Sequence, residues 1–196
     1  MKLRQVIPIG FASIIAVMLT NGLLSKLTVV DLTSTVNEVM QSYRIQKSLQ
    51  NLEQILVDTQ LGERGFIITK EDSFLDPYKK AQANLEKEFE EAKILLKDNP
   101  EQTQRLLELQ DLAQQGVEVL SNNISKVREG YQPSANELLK GKQSLELMRG
   151  KIDEMLEAEN EILDQKQKSV DQAEVLSMIT SLGGTLLGTL LGLFII

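Results

Sequence analysis

The sequence predicts an all-α protein: an up-down-up-down four-helix bundle whose long first and fourth helices continue into two transmembrane helices. Three observations predict it. Apolar residues recur at helical spacing between a few sharp breakers, and no stretch alternates like a strand. Aromatic residues are only 4% of the 196-residue chain and proline occurs 4 times, which disfavours an all-β fold. Charge is confined to the middle: residues 31–174 hold 18 of the 21 bases and all 28 acids, between two apolar ends.

The first end, residues 1–30, is expected to be a cytoplasmic start followed by the first membrane span. Val6 to Ser25 carries no charge and is long enough for a spanning helix, which needs about 20 residues. Lys2 and Arg4 precede it and place its start in the cytoplasm, while Lys26 snorkels at the outer interface. The competing reading is a cleaved secretory signal. Asn21-Gly22-Leu23-Leu24-Ser25 is a poor cleavage site, so an uncleaved anchor is expected.

Residues 31–174 are expected to form the four-helix domain. The first helix carries Val36, Val39, Met40 and Tyr43 at helical spacing. It breaks between Glu71 and Pro77, where Asp76 as N-cap and Pro77 at the first helical position make the neatest start for the second helix. Lys79 to Lys97 reads as a solvated, charge-rich face. Asn99 caps the third helix and Pro100 opens it; Leu106, Leu109 and Leu112 mark its apolar side. Gly130 stops that helix, and Ser134 with Glu137 forms a capping box for the fourth. The fourth carries the seam Leu145, Met148, Ile152, Met155, stepping by three and four as in a coiled coil.

A helical rise of about 1.5 Å per residue turns residue number into height. Reflecting Arg64 through the three turns gives about 78, 120 and 142, and an independent count up from Val175 gives about 141. That agreement supports the up-down-up-down order. The lower turn then lies opposite about 43 and 163, below which only the first and fourth helices remain. An isolated helix pair buries little, so a parallel homodimer completing a four-helix stalk is expected.

Residues 175–196 form the second expected span, 22 residues without a charge. Thr180, Gly184, Gly188 and Gly192 fall on one helical face and would let two backbones approach closely, within the chain or between subunits. Both termini are then cytoplasmic and residues 31–174 lie outside, in a two-pass protein of the inner or plasma membrane. The sequence stops at Ile196 at the end of this span. A receptor would continue beyond it, so a fragment of a longer protein is expected, with a short standalone protein as the alternative.

His is 0 and Cys is 0, which removes Ser-His and Cys-His nucleophile pairs, the usual zinc and haem ligands and any disulfide. A net charge of -7 argues against nucleic-acid binding. Paired acids such as Glu157 and Glu161 lack the His or second pair that metal or acid-base chemistry needs. No enzyme activity and no cofactor are expected of this chain.

The most informative stretch runs Asp58-Thr59-Gln60-Leu61-Gly62-Glu63-Arg64-Gly65-Phe66-Ile67-Ile68-Thr69, then Asp72, Phe74-Leu75, Pro77-Tyr78 and Ala81. It resembles the third class of extracellular CHASE sensory domains. The resemblance continues in Asp98-Asn99-Pro100 and in Met155 to Leu163, covers about residues 36–168 and extends to the two flanking spans. Leu61 departs from it, standing where a small or polar residue is usual. The resemblance implies an extracytoplasmic input module of the kind found in sensor histidine kinases, chemoreceptors and nucleotide cyclases, with the effector following the second span, usually through a HAMP linker.

The motif residues Asp58, Gly62, Glu63, Arg64, Gly65, Thr69, Pro77 and Tyr78 carry two readings. Arg64 is a permanent fork-shaped donor at a height to meet Tyr78, Glu137, Glu63 or Asp58. The first reading is a salt-bridge and hydrogen-bond cluster fixing a helical break after Gly65. The second is an anion or small-ligand site at the bundle apex, formed by Arg64, Thr69 and Tyr78. The seam of the fourth helix continues to Glu159, Ile162 and Lys166, so two charges interrupt an apolar stripe. A solvated face near Arg44 and Lys47 is expected there, with a polar layer that loosens packing as the alternative.

The expected function is a membrane-anchored sensor that relays a stimulus by helix displacement to a cytoplasmic effector absent from this chain, such as a histidine kinase or chemoreceptor signalling domain. Its expected partners are the bilayer, a second copy, that downstream domain and an unknown ligand, with no nucleic acid. A standalone membrane-anchored scaffold binding a protein partner is the alternative.

Overall fold

The breakers in the sequence are where the helices end. The computed structural model describes the backbone of residues 3–195, and side chains within 11–190 apart from 13, 14, 28, 31 and 187. Helix α1 spans Leu3–Thr69, α2 Asp76–Leu96, α3 Pro100–Arg128 and α4 Ala135–Ile195. A 3-10 turn, Asp72–Leu75, separates α1 from α2. Among the described residues there is no strand, so the fold is all-α.

Each terminus has a local cause. At the end of α1, Lys70 takes a left-handed φ of 61° and its N–H donates to Phe66 O at 2.7 Å, a single-bond left-handed cap. Thr69 Oγ1 donates to Gly65 O at 2.8 Å and accepts from Glu71 N–H at 3.2 Å. Helix α2 differs from expectation. Leu75, not Asp76, is its N-cap, in right-handed geometry and with no side-chain cap bond. The 3-10 turn already aims the chain along the helix, so Asp76 and Pro77 become the first two helical residues. Asn99 Oδ1 accepts from Gln102 N–H at 3.1 Å and caps α3. At its other end Gly130, at φ 88°, donates to Val127 O while Tyr131 N–H donates to Lys126 O, a Schellman motif. Ser134 and Glu137 form the capping box of α4: Ser134 N–H donates to Glu137 Oε2 at 2.8 Å, and Glu137 N–H to Ser134 Oγ at 3.4 Å.

The chain divides into two units. One is Gln41–Ile162; the other joins Met1–Met40 with Leu163–Ile196. In the first, buried residues step by three and four along each long helix: Ile45, Leu49, Leu52 and Leu56 on α1, Leu106, Leu109 and Ala113 on α3, Leu145, Met148, Ile152 and Met155 on α4. Cross-links fix an antiparallel register between successive helices. Gln41 Nε2 donates to Leu95 O at 2.9 Å, and Arg105 Nε to Glu154 Oε1 at 2.9 Å. Near the opposite end Gly62 lies against Tyr78 and Gly141 against Leu120. These four positions sit close to the layer that the rise per residue assigns to Arg64, 78, 120 and 142. The result is an up-down-up-down bundle.

In the second unit α1 and α4 are described as a pair. Glu38 and Lys166 form an ion pair, and Asn21 packs against Gly184 so closely that any side chain there would displace it. Among the described residues nothing stands within 4 Å of where a β-carbon at Gly188 would lie, and Gly192 falls outside the described residues. Both helices contain an apolar stretch long enough to cross a membrane, with mean hydropathy 1.5 and 1.3. Phe11, Leu19, Leu23, Leu182, Leu186 and Leu190 are exposed along them.

Candidate functional site

The motif Asp58–Tyr78 builds the end of the bundle where α1 turns into α2. Its glycines are there for close approach. A β-carbon at Gly62 would stand 2.9 Å from both Cβ and N of Tyr78, and one at Gly65 would stand 2.7 Å from the Phe74 ring. The turn thus folds back onto α1, and Leu75 and Tyr78 enter a core with Phe66, Ile67, Leu120, Ile124 and Val127. Pro77 is exposed at the start of α2. Asp58, one turn below, accepts from Gln54 Nε2 at 2.7 Å.

Arg64 does not organise this cluster. It is exposed, and among the described residues no ion pair holds it. The helix also runs on past Gly65 to Thr69, so no break needs fixing at Gly65. The cation that ties the turn down is Arg128, in the last turn of α3. Its Nη2 donates to Asp72 Oδ1 at 3.0 Å, and its guanidinium lies 5.7 Å from the centre of the Phe66 ring. Nor do Arg64, Thr69 and Tyr78 come together: Arg64 is exposed, Tyr78 is buried in the core, and the Thr69 hydroxyl is engaged by Gly65 O and Glu71 N–H at the end of its own helix.

The buried charge belongs to Glu63. Its side chain is 2% exposed, and Oε1 accepts from Asn123 Nδ2 of α3 at 2.8 Å. Burial raises the Glu63 carboxyl above its ordinary value; the Asn123 hydrogen bond and the nearby Arg64 charge pull it partly back. Burial likewise raises the Tyr78 phenol, opposed by hydrogen bonding with Ser121 and reinforced by the charge of Glu63.

Glu159 is a second buried carboxylate, at the other end of the bundle. It is 1% exposed, which overturns the expectation of a solvated face. Its partner is neither Arg44 nor Lys47 but Gln102, whose Nε2 donates to Glu159 Oε1 at 2.9 Å and to Met155 O at 3.0 Å. Arg105 Nη1 donates to Gln102 Oε1 at 3.3 Å and extends the network to Glu101 and Glu154. Gln46 Nε2 donates to Asn160 Oδ1 at 2.7 Å beside it. Lys166, the second charge of that seam, pairs with Glu38 in the other unit of the chain.

So α3 braces the two long helices by the same chemistry, an amide to a carboxylate: Asn123 to Glu63 of α1, and Gln102 to Glu159 of α4. Asn123, Gln102 and Arg128 are not singled out in the sequence. Asn123 and Gln102 had a signal: both sit on the apolar stripe of α3 with Leu106, Leu109, Leu120 and Val127. Arg128 had none. Among the described residues no cluster of three or more Asp or Glu groups is placed to hold a metal ion.

No curated protein matches the chain. Among solved structures it is similar to the sensor domain of the Rhodopseudomonas palustris histidine kinase HK9, at 20% identity and a TM-score of 0.42, over 65% of this chain and 96% of that one. The CHASE3 domain profile matches residues 35–169, well over half of the chain, and the chain belongs to the CHASE3 domain family.

Proposed function

We propose that this chain is the membrane-anchored input module of a receptor. Two apolar ends cross the bilayer, both termini are cytoplasmic, and residues 31–174 stand outside. A stimulus at the bundle shifts α1 against α4, and the displacement reaches a cytoplasmic effector, such as a histidine kinase or chemoreceptor signalling domain. A difference of about 1–3 kcal/mol between two helix arrangements suffices for such coupling. A parallel homodimer is the working form, because the helix pair leaves apolar side chains uncovered.

The observation that carries the reading is that a CHASE3 match at 35–169 is flanked on both sides by apolar helix long enough to span a bilayer. Two helices, α1 and α4, supply both the bundle walls and those apolar ends. The test fuses the chain to a reporter kinase. Protease added to intact cells is expected to remove the region 31–174, and helix insertions near Met40 are expected to change kinase output. A bundle that survives protease, or output indifferent to every insertion, overturns the reading.

A further inference from the structure

The Glu63–Asn123 pair has a property that its structural role does not require. A carboxylate in the core is ordinarily matched by a cation or by several donors. Glu63 has neither. Its hydrogen-bond partner is a single neutral amide, and the positive charge that acts on it, Arg64, is exposed to solvent that screens it. Tyr78 lies close enough to feel the charge of Glu63, and Phe66 and Ile67, three and four residues further along α1, belong to the apolar core at this end of the bundle.

We propose, building on the sensory reading above, that Glu63 and Asn123 form a proton-binding site that makes external acidity a stimulus of this receptor. Ionised Glu63 only accepts hydrogen bonds. On taking a proton from solvent it gains a donor, and the Asn123 amide offers both a donor and an acceptor. The protonated acid and the amide can then join by two hydrogen bonds instead of one, while the buried charge disappears. Acid therefore clamps α1 to α3, and ionisation loosens them.

The neighbouring groups leave this titration to Glu63. From α1 the facing charge is Arg64, and from α2 the facing group is the Tyr78 phenol. Asn123 and Ser121 of α3 are neutral. At this end of the bundle Glu137 of α4 is engaged by Lys126, and Asp72 of the short turn by Arg128. The raised Glu63 carboxyl fits the same picture, since desolvation is its largest cause.

The test uses the full chain in lipid nanodiscs. There is no native cysteine among the described residues and Cys is 0 in the sequence, so spin labels can be placed at Ile68→Cys on α1 and Ser125→Cys on α3, both exposed. The inter-label distance is followed from below the ordinary glutamate range, about 4.3, to about pH 8. The expected result is a distance change with one midpoint above that range, lost in Glu63→Gln, which stays in the short-distance acid form at every pH. A distance that ignores pH, a change that persists in Glu63→Gln, or a midpoint in the ordinary range overturns the proposal. So does a Glu63→Gln variant that fails to fold, because the neutral form is the one the site favours. A reporter fusion separates the two readings. Output that answers helix insertions but not acid sinks the proton site alone; a distance that answers acid under output that never changes sinks the sensory reading.

Discussion

Gly62 shows how tightly one residue can be specified. With Tyr78 Cβ and N both 2.9 Å from where its β-carbon would stand, Gly62→Ala must push the backbone of α2 away from α1. Overpacking of this kind costs about 1–3 kcal/mol, and thermal unfolding followed by circular dichroism is expected to show a lower midpoint. Lys70 offers the opposite case. It holds φ at 61°, a region that costs a residue with a β-carbon roughly 1–2 kcal/mol. Glycine removes that strain but adds freedom to the unfolded chain, so Lys70→Gly is expected to stabilise by about 0.5–1 kcal/mol in the same measurement. Glu63 adds a pH dependence. Its folded carboxyl lies above its ordinary value of 4.5, so the stability it contributes is complete below 4.5 and is lost as pH rises through the folded value. Glu63→Gln is therefore expected to raise the unfolding midpoint at neutral pH and to leave it unchanged in acid. A destabilised variant at pH 7 would show that the charge is wanted.

Helix ends behave as separate small machines, and α4 has the most dissectible one. Lys126 first, then the backbone and hydroxyl of Ser134, hold the Glu137 carboxyl down to about 2. The sign is opposite to that of Glu63: the contribution is present above the unfolded value of 4.5 and is lost as pH falls toward about 2. Acid thus loosens the start of α4 while it favours the Glu63 pair. Ser134→Ala is expected to cost about 1 kcal/mol at neutral pH, and less in strong acid, where the protonated Glu137 no longer accepts a charge-assisted bond from the Ser134 hydroxyl; urea titrations at two pH values check it. These ends were legible because Asn99-Pro100, Gly130 and Ser134-Glu137 act within four residues of sequence. The start of α2 was not, because a 3-10 turn can replace an extended N-cap and Asp76 looks the same in either role. The brace residues were half legible. Carrying the three-and-four spacing of Leu52 and Leu56 onward reaches Glu63, and carrying that of Leu109 reaches Asn123. What spacing cannot show is that two polar residues on different helices meet, since that depends on the packing of α1 across the core from α3. Arg64 misleads for the converse reason: a motif marks a position without saying whether its side chain points in or out.

At the scale of the whole molecule the open question is what covers the apolar flank of the helix pair. Leu32, Val36 and Met40 are exposed at successive turns of α1. Glu38 faces α4, where it pairs with Lys166, so the apolar stripe lies on the side of α1 turned away from its own partner helix. Fully burying one side chain of this size stabilises by about 1.5–3 kcal/mol, and three on each of two chains, a turn apart, supply a continuous seam. In the proposed homodimer a second copy would present the same stripe, and a two-fold axis along the helices would bring the two α1 stretches together in register. Val39, half-buried beside the stripe, then lies close to its counterpart, within the few ångströms a disulfide can bridge. Ser34 lies on the Glu38 side of the helix and stays far from its counterpart. Oxidation of membranes carrying Val39→Cys is expected to give covalent dimers, and oxidation of Ser34→Cys is expected to give few. Adding Val36→Ser and Met40→Ser to Val39→Cys removes apolar surface without touching the thiol, and is expected to lower the dimer yield several-fold. Equal yields at positions 34 and 39 would mean random collision in the bilayer rather than a paired stalk, and displacement of α1 would then have to act on a monomer.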